Sequence, residues 1–287
     1  MGRSAPVRTG DDTLGRMLRR FALALSIACG LFASFAACSD DESTGSTPST
    51  NDGGADAQPD SPPAVVTNDS ESKQTGKIIR AQSEDDGVPG ATVTAGGNSV
   101  TTNATGEYEI IVPRNTPYRM TVAAPEYFKL LEQEMILTKE TLDRGKTNLL
   151  PTETATFLAG LLPDRKAEKG LVVVKVNPLP PCTSEEGSTL SIDPPGEAKI
   201  TYFNGSLPQS SLEAVKAGST FSAAIYNVEV GVPLTITVTS PQCSQAPFPI
   251  DVGDVTYTGA LTAEAGEALS YMRVYIKDAV IPDAGSD

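Results

Sequence analysis

The sequence predicts an all-β protein: two tandem antiparallel β-sandwich domains, preceded by a signal peptide and a disordered tether. Three observations predict it. Short apolar runs with period-two alternation recur from Thr75 onward, separated by turn signals every 8–12 residues. The chain carries 25 Gly and 22 Pro in 287 residues, a supply of turn formers that suits short strands. The landmarks of the first β-rich stretch recur in the second, which implies a related pair of units.

The elements follow in chain order. Residues 1–37 read as a targeting segment. Arg3, Arg8, Arg16, Arg19 and Arg20 precede an apolar run from Phe21 to Ala37, and the chain turns polar at Ser39-Asp40-Asp41-Glu42. A basic stretch, an apolar stretch and small residues before the cut describe a secretory signal. Met17 is an alternative start. The 17-residue run is at the short end for an uncleaved membrane span.

Phe35-Ala36-Ala37-Cys38 resembles the lipobox of bacterial lipoproteins, with Phe35 where an aliphatic residue is usual. The resemblance implies that Cys38 takes a diacylglyceryl group and becomes the new N-terminus. Cys29 is a poorer lipid site, because Gly30 to Ala37 after it stay apolar where a solvated tether is needed. The protein is thus expected at the cell envelope, attached to the membrane through lipid on Cys38. Ser39 after it leans toward the outer membrane by the enterobacterial sorting convention.

Residues 38–74 are rich in Ser, Thr, Asp, Gly and Pro, with Val65 and Val66 as the large apolar exceptions. Such a segment buries too little surface to offset chain entropy and reads as a disordered acidic linker. Asp52, Asp56 and Asp60 recur every four residues, which is not the spacing of a Ca²⁺-binding loop.

Residues 75–140 read as the first sandwich. Strands are predicted at Gly76–Arg80, Gly90–Ala95, Ser99–Thr102, Tyr108–Val112 and Tyr118–Val122, with a last one in Tyr127–Leu137. Gly90 allows the turn into the second strand, Gly106 suits a left-handed turn position before the next one, and Tyr108 is expected to point inward. The runs Val88-Pro89-Gly90-Ala91-Thr92-Val93, Thr102 to Tyr108 and Pro117 to Val122 resemble the carboxypeptidase regulatory-like domain, over about 60 residues. That resemblance implies a seven-stranded transthyretin-like sandwich serving as a non-catalytic accessory module.

Residues 141–168 read as a connector, irregular or partly helical. Residues 169–278 read as the second sandwich, and 279–287 as a tail. Gly196–Ile200 echoes Gly90–Val93, Gly218–Phe221 echoes Gly106–Tyr108, and Pro233–Pro241 echoes Pro117–Pro125. A longer insertion, Asn177–Pro195, carries Cys182. With Cys29 cleaved off and Cys38 lipidated, Cys182 and Cys243 remain. They are expected to form a disulfide that pins the insertion to the sheet end.

Composition narrows the chemistry. There is no His, which excludes Ser-His and Cys-His catalysis and His-metal sites. Removing residues 1–37 takes five basic and two acidic side chains with it and leaves 17 basic against 34 acidic, a net of −17. Such a chain repels phosphate backbones, so nucleic acid is not an expected partner.

The candidate chemical groups have plain alternatives. Glu107 and Glu109 share a strand face, which is usually a solvated face and not an acid–base pair. Glu84-Asp85-Asp86, Glu185-Glu186, Asp251 and Asp254 read as solvated turns. Ser210 and Ser211 lack a base partner. Tyr202, Phe203, Tyr271 and Tyr275 are the aromatics to inspect for a sugar platform. The reading is no catalytic residue, no cofactor, no metal, and a structural or protein/peptide-binding role along a strand edge. A glycan-binding or adhesin module is the alternative, and a carboxylate hydrolase the remote one.

Overall fold

The structure is a computed structural model, and it describes residues 69–279. The signal, Cys38, most of the tether and the tail lie outside the described residues.

The all-β expectation holds: the described chain is a set of packed, mainly antiparallel sheets with one helix. The first half supplies β1 (Glu71–Arg80), β2 (Thr92–Ala95), β3 (Asn98–Thr101), β4 (Glu107–Pro113), β5 (Met120–Ala123), β6 (Lys129–Glu132), β7 (Met135–Leu137) and β8 (Thr141–Leu149). Helix α1 (Thr152–Gly160) follows. The second half supplies β9 (Gly170–Pro178), β10 (Thr189–Asp193), β11 (Lys199–Asn204), β12 (Leu207–Gln209), β13 (Ala223–Val228), β14 (Thr235–Thr239), β15 (Cys243–Gln245), β16 (Ile250–Val252), β17 (Val255–Tyr257) and β18 (Ala268–Ala279).

The two halves repeat one topology. In the first, β1 lies between β4, antiparallel, and β8, parallel. In the second, β9 lies between β13, antiparallel, and β18, parallel. The pair β2–β5 corresponds to β10–β14. The Pro-flanked echo is thereby explained, since it holds β5 in one half and β14 in the other. The echo of Gly90–Val93 at Gly196–Ile200 does not hold. Those residues lead into β11, which pairs with β12 and β13, and the true counterpart of β2 is β10 inside the supposed insertion. Three parallel ladders depart from the all-antiparallel expectation: β8 and β18 each return to the first strand of their own half, and β18 also runs beside β6.

The halves are fused by β18. Its start, Ala268–Tyr271, pairs in parallel with Lys129–Glu132 of β6, while Ser270–Ile276 pairs in parallel with Val172–Pro178 of β9. One sheet therefore runs β12-β11-β13-β9-β18-β6-β5-β2-β3 through both sandwiches. Strand β9 is buried on both faces, which explains its unbroken run Leu171-Val172-Val173-Val174. One face packs with Ile236, Val238 and Met272, and the other with Phe128, Ala155 and Leu162 beneath α1.

Two boundaries differ from expectation. Strand β1 starts at Glu71, inside the predicted tether. Its inward side chains there are Ser72 and Gln74, both fully buried, so the period-two signal carried no apolar residue. Residues 141–149 are not connector but β8. Its one inward charge, Arg144, and the bulge at Gly145 hid the strand pattern.

Gly106 takes a φ of 84°, as its turn position requires, and Gly90 one of 72°. An added Cβ at Gly106 meets the Ile78 carbonyl oxygen at 2.4 Å. Gly106→Ala is therefore expected to lose about 2–3 kcal/mol, from backbone strain plus displacement of β1. Urea unfolding checks this, and a loss below about 0.5 kcal/mol contradicts the close approach.

Candidate functional site

The outer face of the β4-β1-β8 sheet carries the two carboxylates singled out in the sequence. Strand alternation turns Glu107 and Glu109 outward on β4, while Tyr108 between them is buried, as expected. A shallow groove of about 660 Å³ crosses this face, lined among others by Lys77, Asn103, Glu107, Glu109, Asp143 and Lys146.

The charges there are tied to one another. Glu109 pairs with Lys73 at 3.2 Å. Asp85, from the acidic turn, pairs with Lys77 at 2.8 Å and with Lys146 at 3.4 Å. The amide of Asn103 and the hydroxyl of Thr105 each donate to Glu107 Oε2 at 3.0 Å. The Asn103 and Thr105 bonds hold the Glu107 carboxyl below the usual carboxylate range, and the Lys77 and Lys146 ammoniums do the same for Asp85. A general acid needs the opposite shift.

The strongest electrostatics lie under this sheet. Arg144 points inward from β8 and makes an ion pair with Glu132 at the end of β6, the two side chains being 7% and 2% exposed. Above them, the Gln74 amide donates to Tyr108 Oη at 3.1 Å, and Tyr118 Oη donates to Gln74 Oε1 at 2.5 Å. From β18, the Arg273 guanidinium lies 4.7 Å from the Tyr271 ring centroid and 5.8 Å from that of Tyr257. Tyr257 in turn stacks on Tyr275 at 5.9 Å. Burial opposes the charge of Arg144, but the Glu132 carboxylate together with the phenols of Tyr257, Tyr108 and Tyr118 outweighs it and raises its affinity for the proton. The same balance acts on Arg273. Sequence reasoning missed this cluster, because Glu132, Arg144 and Arg273 sit on separate strands with no shared spacing. A charge among apolar strand residues, Arg273 within Tyr271-Met-Arg-Val-Tyr-Ile276, was the one local signal.

Burial pushes the phenols of Tyr108, Tyr118, Tyr271 and Tyr275 upward from 10.0. A folded-state value above the unfolded one contributes stability below about pH 10, and that contribution is lost as pH rises beyond it. Tyrosinate absorbance is thus expected to appear together with loss of the β-sheet circular dichroism above about pH 10. Gradual ionisation near pH 10 with the sheet intact contradicts the buried assignment.

The other candidates disperse. Tyr202, Phe203 and Tyr275 are each buried, at 6%, 4% and 5% exposure, and Tyr271 packs edge-on against Phe221. None forms an open platform. Glu185 is buried beside Lys175, 3.4 Å away. Asp251 accepts from Thr256 at 2.5 Å, and Asp254 lies 3.9 Å from Lys139. Ser210 and Ser211 stand exposed in the turn after β12. Among the described residues, no cluster of three or more acidic or Cys side chains is placed to hold a metal. Cys182 and Cys243 are joined in a disulfide, with Cα atoms 6.2 Å apart. It ties the insertion to β15, which pairs with the end of β18.

No family model matches the chain, and no curated protein matches it. Solved structures give distant likenesses. The Bacillus anthracis TIE protein is 13% identical with a TM-score of 0.22, over 73% of this chain and 34% of that one. A streptococcal ancillary pilin is 12% identical with a TM-score of 0.23, over 73% and 63%. The shaft pilin SpaA of Lactobacillus rhamnosus GG is 9% identical with a TM-score of 0.20, over 72% and 97%. The chain thus spans about a third of the first and under two thirds of the second. At these scores no functional statement follows from them. The class that the fold itself defines is a double β-sandwich with a disulfide.

Proposed function

We propose that the protein is a lipid-anchored, non-catalytic protein of a bacterial envelope with a structural or protein/peptide-binding role. The observation that carries this reading is the state of the groove on the β4-β1-β8 sheet. Glu107 is held below the usual carboxylate range by Asn103 and Thr105, Glu109 is paired with Lys73, and the two converge on no free reacting group. The fusion through β18 supports a structural role, since a domain pair sharing one sheet has no hinge at which to bend. The β4-β1-β8 arrangement is compatible with a carboxypeptidase regulatory-like accessory module. The buried aromatics weigh against the glycan-binding alternative. Anchoring through Cys38, with sorting to the outer membrane after Ser39, rests on the sequence pattern.

The test is the intact mass of the protein from a membrane fraction, with and without reductant. A chain beginning at Cys38 with acyl groups, gaining two protons on reduction, is the expected result. Cys38→Ala is expected to leave the membrane fraction. An unlipidated cut, or residues 1–37 retained, sinks the anchor. Turnover of any peptide or glycoside by the purified protein sinks the non-catalytic half.

A further inference from the structure

The loop from Leu161 to Lys169, which follows α1, is clamped at many points. The side chain of Asn227, 2% exposed, accepts from Lys166 N at 2.8 Å and donates to Asp164 O at 3.1 Å, so one buried amide grips both neighbours of Arg165. Asp164 is also held by Lys199 at 2.8 Å, Lys166 by Glu197 at 2.7 Å, and Lys169 by Glu229 at 2.5 Å. Gly266 N donates to Ala167 O at 3.0 Å. Asn227 and Asp164 both take positive φ, of 60° and 57°. This backbone is built to hold one residue in place.

That residue is the charge left over. Arg165 has no hydrogen-bond or ion-pair partner for Nε and Nη2, although both atoms are shielded from solvent. Burial lowers its proton affinity, and no carboxylate offsets the effect. Unsatisfied charged donors are costly and call for a partner. Arg165 lines a cavity of about 500 Å³ whose wall includes Phe128, Ala159 and Leu162. Asp164 and Glu267 also line it; Asp164 is taken by Lys199, and Glu267 is exposed.

We propose that this cavity is a binding site for a small organic carboxylate with an apolar body. The guanidinium takes the carboxylate by charge-assisted hydrogen bonds, after a torsional adjustment of its flexible stem, and Phe128, Ala159 and Leu162 receive the apolar part. The site lies away from the groove on the β4-β1-β8 sheet and is independent of how the chain is anchored.

Benzoate is the probe, with benzyl alcohol as its neutral counterpart and inorganic phosphate as the bare anion. Titrations of the folded protein are followed through the Arg165 side-chain Nε–H resonance and the α1 amides. Saturable shifts with benzoate, with Kd on the order of millimolar, are expected. Arg165→Met is expected to weaken binding at least about tenfold with circular dichroism unchanged. Ala159→Leu keeps the arginine and fills the cavity, and is expected to remove benzoate binding as well. Equal binding of benzyl alcohol, or unchanged benzoate binding in Arg165→Met, overturns the role of the guanidinium. Equal binding of phosphate overturns the apolar half, and no saturable shift at all overturns the site.

Discussion

Glu132→Gln is expected to cost about 3–5 kcal/mol of stability, the range for removing one partner of a buried ion pair. The carboxylate serves two guanidiniums: it pairs with Arg144 and also raises Arg273. Its neutralisation leaves two desolvated positive charges facing one another. The opposite change is expected to be milder. Arg144→Met leaves Glu132 with Arg273 still nearby, so its cost is expected to be smaller than that of Glu132→Gln. The double variant Glu132→Leu/Arg144→Leu removes both charges and is expected to recover part of the loss. Urea unfolding of the four proteins checks the order. Equal costs for the two single variants contradict the shared carboxylate. A cost below about 1 kcal/mol for Glu132→Gln shows that water reaches the pair.

The second large effect is expected at the disulfide. Cys182 and Cys243 are 61 residues apart, and closing a loop of that length constrains the unfolded chain by about 4 kcal/mol in the entropic account. Cys182→Ser/Cys243→Ser is therefore expected to lower stability by about that amount. For a body of this size the melting temperature then falls by on the order of 10 °C. Reductant is expected to move the wild type to the same midpoint and to leave the variant unmoved. A wild type insensitive to reductant contradicts the pairing. Loss is expected to begin at β15 and the end of β18, where the bridge meets the sheet, and hydrogen exchange at Ser244–Gln245 is the local readout.

The parts of the fold legible in the sequence are those where burial was written in apolar residues. Tyr118, Met120 and Val122 alternate inward as read, and the run at 171–174 marks a strand buried on both sides. Gly106 announced its turn because no other residue takes that φ without strain. What stayed hidden was polar and buried. Ser72 and Gln74 face inward by bonding to other polar groups, so β1 appeared five residues too late. Arg144 faces inward on β8, and a charge there reads as a loop. The disulfide was legible by counting, because the other two cysteines had roles assigned by the targeting segment. The repeat was legible in its Pro-flanked strand but misaligned at β10, whose sequence Thr-Leu-Ser-Ile-Asp is short and ends at a proline. Arg165 was passed over, because nothing local distinguishes an arginine with a partner from one without.

Strand β18 also sets an order of events. It is the last described strand, yet it fills the slot beside β6 in the first half and beside β9 in the second. A ribosome delivers residues 268–279 after everything they must join. Until then β6 has an unpaired edge, and β9 lacks its parallel neighbour. The first half therefore cannot complete its sheet before residues 268–271 join it. A chain that has not yet added residues 268–279 stays exposed at that edge.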